Sequence, residues 1–206
     1  MAMYATLQSI TDGFPPRPLP ASEEELGGLV ELAKAGDREA FGLLYQHLAP
    51  KVYSYFYHHL AGQSALAEDL AEDVFLNVLR RLESYTDHGL PFSAWIFRVA
   101  HNRLVDHFRS QQRRPQVPLD SAGEAADLLP ERELQRVVDR QTLMAALDKL
   151  TPSQRNVIVL RFLQHLSLSE TAAALDRTED GVKKLQQRAL DSLRRSLASA
   201  QASMAV

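Results

Sequence analysis

The sequence predicts an all-α protein of two small helical domains joined by a flexible linker, and three observations carry that prediction. From Glu24 onward, apolar residues recur at helical spacing almost without interruption. Strand signals are absent, since β-branched residues are sparse and no alternating run is bounded by turn residues. One stretch, 115–129 (PQVPLDSAGEAADLL), breaks the helical pattern with Pro, Ser, Gly and acids and contains no base. The expected division is a mobile leader over 1–25, a first domain over 26–114, the linker over 115–129 and a second domain over 130–200.

In the leader, Pro15, Pro16, Pro18 and Pro20 oppose any helix before Ser22. A first helix spans about Glu24–Ala35 and stops at Gly36. Asp37 caps a second, with Phe41, Leu44, Tyr45 and Leu48 on one face. Pro50 is expected to restart the chain, with Val52, Tyr53, Phe56 and Leu60 continuing an apolar face to Gly62. Ser64 is the expected cap of the next helix, whose buried stripe is Leu66, Leu70, Val74, Val78, Leu82 and Tyr85. Glu68, Asp69, Glu72 and Asp73 crowd its other side, with Arg80 and Arg81 near its end. Two readings stay open there. The polarity suits the helix dipole, and the mutually repelling carboxylates also suit a basic partner surface.

After a short polar turn, Pro91 opens a helix to about Arg114. Phe92, Trp95, Ile96, Val99, Leu104, Val105 and Phe108 form its apolar stripe. Arg98, His101, Arg103, Arg109, Arg113 and Arg114 interleave with them, against the single acid Asp106. Such a helix is either an Arg-rich surface element or one that docks on a core while facing a nucleic acid backbone. Fully extended, the linker that follows reaches about 50 Å at roughly 3.3–3.6 Å per residue. That joins sites about one and a half duplex turns apart, at ~34 Å per turn.

The second domain begins with a helix from Pro130 to about Leu150. Thr151-Pro-Ser-Gln154 then reads as a capping box, starting a helix to about Gln164 with Val157, Ile158, Leu160, Phe162 and Leu163 inside. A second box, Ser167-Leu-Ser-Glu170, starts a short helix ending near Leu175. Thr178 caps a last helix bearing Val182, Leu185, Ala189, Leu190, Leu193 and Leu197. A short helix, a tight turn and a longer basic helix make a helix-turn-helix pattern.

Composition bounds what this architecture can do. With 206 residues, 45% hydrophobic and 24% charged, the chain is an ordinary globular protein of one domain or two small ones. No apolar run approaches the ~18 residues of a membrane span, and the N-terminus lacks a basic segment followed by an apolar core. The absence of Cys excludes disulfides, thiolate metal sites and Cys nucleophiles, and is compatible with a reducing cytosol. A formal charge of -3 argues against tight duplex binding by bulk electrostatics. A nucleic-acid role must rely on local patches, or on a partner that supplies the rest of the positive field.

Taken in order, the pieces resemble a bacterial alternative sigma factor of the extracytoplasmic-function (ECF) type. GDREAFGLLYQHLAPKVYSYF resembles that family's region 2.1, and AEDLAEDVFLNVLRRL its core-binding AEDLVQETFLRAWRAL. PFSAWIFRVAHNRLVDHFR resembles the FRAWLFRIARNLAIDHLR of regions 2.3 and 2.4. LTPSQRNVIVLRFLQHLSLSETAAAL resembles the LPPRQREVLLLRYLEGLSYAEIAEIL of region 4. The resemblance covers roughly Leu29–Tyr85, Pro91–Arg114 and Leu147–Leu197.

The resemblance implies a cytoplasmic promoter-specificity subunit that is not an enzyme and needs neither cofactor nor metal. It implies docking of Asp69, Glu72, Asp73 and Asn77 on the clamp helices of the largest subunit of core RNA polymerase, with Phe75 and Leu76 adding apolar contact. It assigns the −10 promoter element to Arg98, His101, Asn102, Arg103, His107 and Arg109, with Thr86, Asp87 and His88 as the wall of a pocket for a flipped base. Trp95 and Phe92 suit either stacking on that base or the core. The −35 element falls to Glu179, Asp180, Lys183, Lys184, Gln187 and Arg188 in the major groove, with Arg155 and Arg161 on phosphates. Glu179 and Asp180 suit the helix dipole equally well. An anti-sigma protein is a further implied partner, and no large C-terminal regulatory domain is expected.

The sequence departs from the family pattern at the recognition helix. DRTEDGVKKLQQRA stands where GISEGTVKSRLHRA is frequent. Asp176 replaces a turn Gly, Arg177 an apolar residue, Leu185 an Arg and Gln186 a Leu, so the −35 preference does not transfer. Asp tolerates the left-handed conformation that turn requires, and Gly181 costs the helix roughly 1 kcal/mol against Ala. Two other classes compete: a stand-alone helix-turn-helix regulator, and a helical metalloenzyme built on Glu68, Asp69, Glu72 and Asp73 with His58 and His59. The chain lacks the Glu-x-x-His pair of di-metal bundles.

Overall fold

A computed structural model describes residues 22–86, 89–112 and 143–204, with side chains described through Ser196. The leader before Ser22, Asp87 and His88, the linker, and the start of the helix expected from Pro130 lie outside these residues. All regular structure among the described residues is helical. It comprises α1 (Glu23–Lys34), α2 (Arg38–His59), α3 (Ser64–Arg81), α4 (Phe92–Gln112), α5 (Pro152–Ile158), α6 (Leu168–Ala174) and α7 (Glu179–Met204). Residues 143–148 are helical as well.

The helix ends follow local chemistry. Ser22 caps α1 by accepting the Glu25 amide at 3.2 Å, behind a first turn of three glutamates. Gly36 takes φ +93 to end it, and Asp37 caps α2 through the Ala40 amide at 3.1 Å. Both expected capping boxes form, Thr151 with Gln154 and Ser167 with Glu170. Asp176 takes φ +52 in the helix-turn-helix corner. Thr178 accepts the Gly181 amide at 3.1 Å, and a Cβ on Gly181 would stand 3.2 Å from that hydroxyl. The glycine therefore makes room for the cap of its own helix.

Three expectations are corrected. Pro50 does not restart the chain but lies inside one 22-residue helix, α2. The proline removes one amide and crowds the carbonyl a turn before it, a cost of about 3 kcal/mol. Burial of Leu44, Leu48, Val52, Tyr55 and Phe56 on one side of a continuous helix outweighs this, at about 1.5–3 kcal/mol per buried side chain. Ser64 is not a cap, because Gln63 holds that position without a side-chain hydrogen bond. The helix expected to run to Gln164 widens at Val159–Leu163 into a π turn, which leaves Phe162 exposed rather than inside.

In the first half, α1 packs on α2, α2 on α3 and α3 on α4. In the second, α5 and α6 pack on α7. The halves also meet, with α6 lying along α4 and the π turn touching α2. One apolar cluster runs through both, from Leu26, Phe56, Leu70 and Phe97 to Leu147, Leu160 and Val182. Replacing Pro50 with Ala, on the exposed side of α2, is expected to raise stability by up to about 3 kcal/mol. The urea midpoint should rise at unchanged slope, and no rise would mean that α2 has relaxed fully around the proline.

Candidate nucleic-acid interface

Helix α3 carries its acids on the side opposite Leu70, Ala71, Val74 and Val78, which are buried. Glu68, Asp69 and Glu72 are exposed, and no hydrogen bond or ion pair of theirs is seen among the described residues. Beside them Leu76 and Leu79 stand 52% and 53% exposed, so acids and large apolar side chains share one open face. Leu79 was not expected there. Phe75 was, and it is instead buried edge-on against Tyr45 at 4.7 Å between ring centroids. Asn77 is half-buried at the border with α4.

Asp73 joins this face to the next. Its Oδ2 accepts both Nε and Nη2 of Arg103 on α4, at 2.9 and 2.6 Å. Both side chains are partly exposed, so the pair is worth less than about 1 kcal/mol. It is therefore a link that a partner on either face breaks at little cost.

Helix α4 buries Phe92, Ile96, Phe97, Ala100 and Leu104. Phe108, expected on the apolar stripe, is 41% exposed, and Trp95 packs at 4.9 Å on Tyr85 and 5.4 Å on Phe92. That aromatic cluster anchors the segment leading to Thr86, which is exposed, while Gly89 turns the chain with φ +80. Asp87 and His88 lie outside the described residues. Arg98, Asn102 and Arg109 are exposed. Arg98 meets Asp176 at 3.5 Å, and Arg109 meets Asp106 at 3.7 Å. His107 faces Gln111 at 3.0 Å, and burial, then the Arg103 charge, lowers its pKa.

His101 sits at a junction of the two halves. The buried Tyr55 hydroxyl on α2 donates to Asn156 Oδ1 on α5 at 3.2 Å and lies 3.2 Å from His101 Nδ1. A phenol has one proton, so the arrangement is satisfied when neutral His101 carries its proton on Nδ1 and donates it to the phenol oxygen. Burial, then the charge of Arg177, lowers the His101 pKa. One turn on, His59 Nδ1 donates to the Tyr55 carbonyl at 2.7 Å. Burial draws the His59 pKa down to about 4 against that hydrogen bond, and the charge of Arg155 adds to the lowering. Gln164 Nε2 donates to Ser54 Oγ at 3.3 Å across the same seam. Tyr55, Asn156, Ser54 and Gln164 were not singled out from sequence. No group of three or more His, Asp or Glu among the described residues is placed to hold a metal ion.

On the second half, Glu179, Asp180, Lys183, Lys184, Gln187 and Arg188 are all exposed along α7. Lys183 meets Asp180 at 3.4 Å, and Gln187 donates to Asp191 at 3.2 Å. Arg155 lies on α5 and Arg161 in the π turn. Arg155 is tied to the Leu147 carbonyl and, at 2.9 Å, to Asp148. Arg161 donates to the Leu166 carbonyl and to Gln186. Of the two residues that depart from the family pattern here, Gln186 accepts from Arg161 and Leu185 lies against the core.

Together these surfaces offer an acidic–apolar face, a basic helix partly covered by α6, and an open polar helix at a helix-turn-helix corner. Residues 44–114 match the family model of sigma-70 region 2, and residues 146–195 that of sigma-70, region 4. The chain is 39% identical over 171 residues to the ECF RNA polymerase sigma factor BldN of Streptomyces coelicolor. That match covers 82% of this chain and 64% of BldN, so the chain spans just under two thirds of that relative's length. It is 33% identical over 183 residues to the ECF RNA polymerase sigma factor SigD of Mycobacterium tuberculosis, covering 86% of each. A solved structure of CnrH in complex with the cytosolic domain of CnrY is similar with a TM-score of 0.62 and 25% identity. The likeness covers 83% of this chain and 96% of that one.

The buried imidazoles set a pH dependence. His59 is neutral in the folded chain down to about pH 4, whereas an unfolded histidine gains its proton near pH 6.5. Stability is therefore complete above about pH 6.5 and falls as the pH drops toward 4, by about 2 kcal/mol at pH 5. Urea midpoints at pH 7.5 and 5 measure this, and a His59→Gln variant should lose most of the difference. Equal midpoints in the parent chain would contradict the assignment.

Proposed function

The chain belongs to the ECF group of RNA polymerase sigma factors, and we propose on that basis that it confers promoter specificity on core polymerase and promotes duplex melting. The observation that carries this reading is the adjacency of two unlike faces. The acids and leucines of α3 lie beside the basic residues of α4, with a second, open reader on α7. A protein partner fits the first face, and nucleic acid fits the other two.

On α3, Asp69, Glu72, Asp73 and Asn77 steer and register the clamp helices of the largest polymerase subunit, and Leu76 and Leu79 contribute apolar area. On α4, Arg98, Arg103 and Arg109 hold phosphates of the −10 element, while His101, Asn102 and His107 offer hydrogen bonds. Thr86, Asp87 and His88 border the place for an extruded base. Trp95 supports this loop through its contacts with Tyr85 and Phe92 rather than serving as a free stacking platform. On α7, Glu179, Asp180, Lys183, Lys184, Gln187 and Arg188 read the −35 element. Arg155 and Arg161 act indirectly, because both are committed to bonds that shape the second half.

The role is one of recognition, with no bond chemistry at the chain's own residues, and it is carried out in the cytoplasm where polymerase works. No described helix is long and apolar enough to cross a membrane. A net charge of -3 fits a subunit that reads DNA within a polymerase complex rather than alone. Relatives that are sigma factors and match across both regions favour this over a stand-alone regulator. CnrH has been solved with a second protein bound, which supports an inhibitory protein partner, an anti-sigma factor, for this chain also.

Run-off transcription with core polymerase and a promoter library tests the reading. Asp69→Arg with Glu72→Arg leaves the Asp73–Arg103 pair intact and should lower transcription about tenfold or more by reversing the steering charge. No transcription from any template by the parent chain would refute the proposed function. Undiminished activity of the double variant would remove α3 from the polymerase contact.

A further inference from the structure

Helix α7 carries two adjoining rows of polar side chains. One row, at spacings of three and four, holds Asp180, Lys183, Gln187, Asp191 and Arg194. Its members pair with one another: Lys183 with Asp180 at 3.4 Å, Gln187 with Asp191 at 3.2 Å, and Arg194 with Asp191 at 3.0 Å. Beside it Lys184 and Arg188 are exposed, and no hydrogen bond or ion pair of theirs is seen among the described residues. The two rows therefore offer DNA different things. Lys184 and Arg188 keep a full charge for phosphates, whereas the acids and bases of the paired row cancel, which suits base edges on the floor of a groove.

Gln187 is the uncharged member of the paired row, and its amide has a fixed sense. Both carboxylate oxygens of Asp191 lie within reach of Gln187 Nε2, at 3.2 and 3.4 Å. A carboxylate only accepts hydrogen bonds, so the amino side of the amide faces Asp191 and the carbonyl oxygen Oε1 is turned away from it. Asp191 is itself held by Arg194, which also offsets its charge. In water an exposed pair of this kind holds weakly. Inside a DNA groove it holds firmly, because turning the amide would set its oxygen against a carboxylate with no water to part them.

We infer that Gln187, with Asp191 as its positioning residue, selects at one position of the −35 element a base that carries an exocyclic amine in the major groove. Adenine and cytosine offer that donor, at N6 and N4, and Oε1 of Gln187 accepts it. Adenine fits better, because its N7 also accepts the second Nε2 proton. Guanine presents two acceptors there, and thymine an acceptor and a methyl group, so either leaves Oε1 unpaired. This rests on the proposed sigma function and deepens it, since it names the base class read at a site defined there.

Transcription by the full chain with core polymerase, from barcoded templates randomised over the −35 element, tests this. The parent should favour adenine, then cytosine, over guanine and thymine by about tenfold at one position. Gln187→Ala should flatten the profile at that position. Asp191→Asn, which lets the amide turn, should bring guanine and thymine there to within about threefold of adenine. Circular dichroism checks that both variants fold. A Gln187→Ala profile that flattens a guanine or thymine preference, or no preference at all, would overturn the inference. So would an Asp191→Asn chain that keeps the parent's preference, or one that loses transcription equally on all four bases, as a structural role alone predicts. No transcription from any template by the parent chain would refute the sigma reading, and the inference with it.

Discussion

A phenol hydroxyl buried without a partner is costly, roughly 1–3 kcal/mol, and Tyr55 meets that constraint with one group from each half of the chain. Asn156 accepts its proton, and His101 lies at the same distance on the other side. Much else follows. His101 stays neutral with its proton on Nδ1, α4 keeps that edge turned toward α5, and α6 settles along the rest of α4. His59, bonded to the Tyr55 carbonyl, becomes a second neutral imidazole in the same place. The seam is thus a polar arrangement inside one apolar cluster, which specifies its register while costing little to replace by water.

The distribution of charge reads differently once the halves are joined. Net charge is slightly negative, yet α4 concentrates bases and α3 concentrates acids, with Asp73 and Arg103 bridging the two. The faces proposed for a protein partner and for DNA therefore share an edge. A polymerase surface that engaged Asp73 would free Arg103 for a phosphate, which would couple the two proposed functions through a pair too exposed to resist either. Basic residues on the second half are likewise divided. Arg155 and Arg161 brace its interior, while Lys183, Lys184 and Arg188 remain outside.

Local features were legible in the sequence because their causes are local. The caps at Asp37, Thr151, Ser167 and Thr178 and the left-handed turn at Asp176 depend on side chains within four residues of the groups they serve. Pro50 was misread because its penalty is local but the burial that outweighs it involves α1, α3 and α4. Phe75 was misplaced because its ring fills space beside Tyr45, which periodicity in α3 alone does not reveal. The exposed acids were visible, whereas the commitment of Arg155 to Asp148 was not, since a motif gives a residue's position and not its partner. The seam was the least legible feature. Tyr55 and Asn156 lie 101 residues apart, and neither belongs to a pattern with chemistry of its own.

The joining of the two halves across the Tyr55 seam is the claim on which the rest turns, and a distance measurement meets it most directly. Gln46 on α2 and Ser169 on α6 are exposed, and in a chain without cysteine each can carry a single dye on an introduced one. Single-molecule energy transfer should show one short separation in the free chain. A long or broadly spread separation in the free chain would contradict the account.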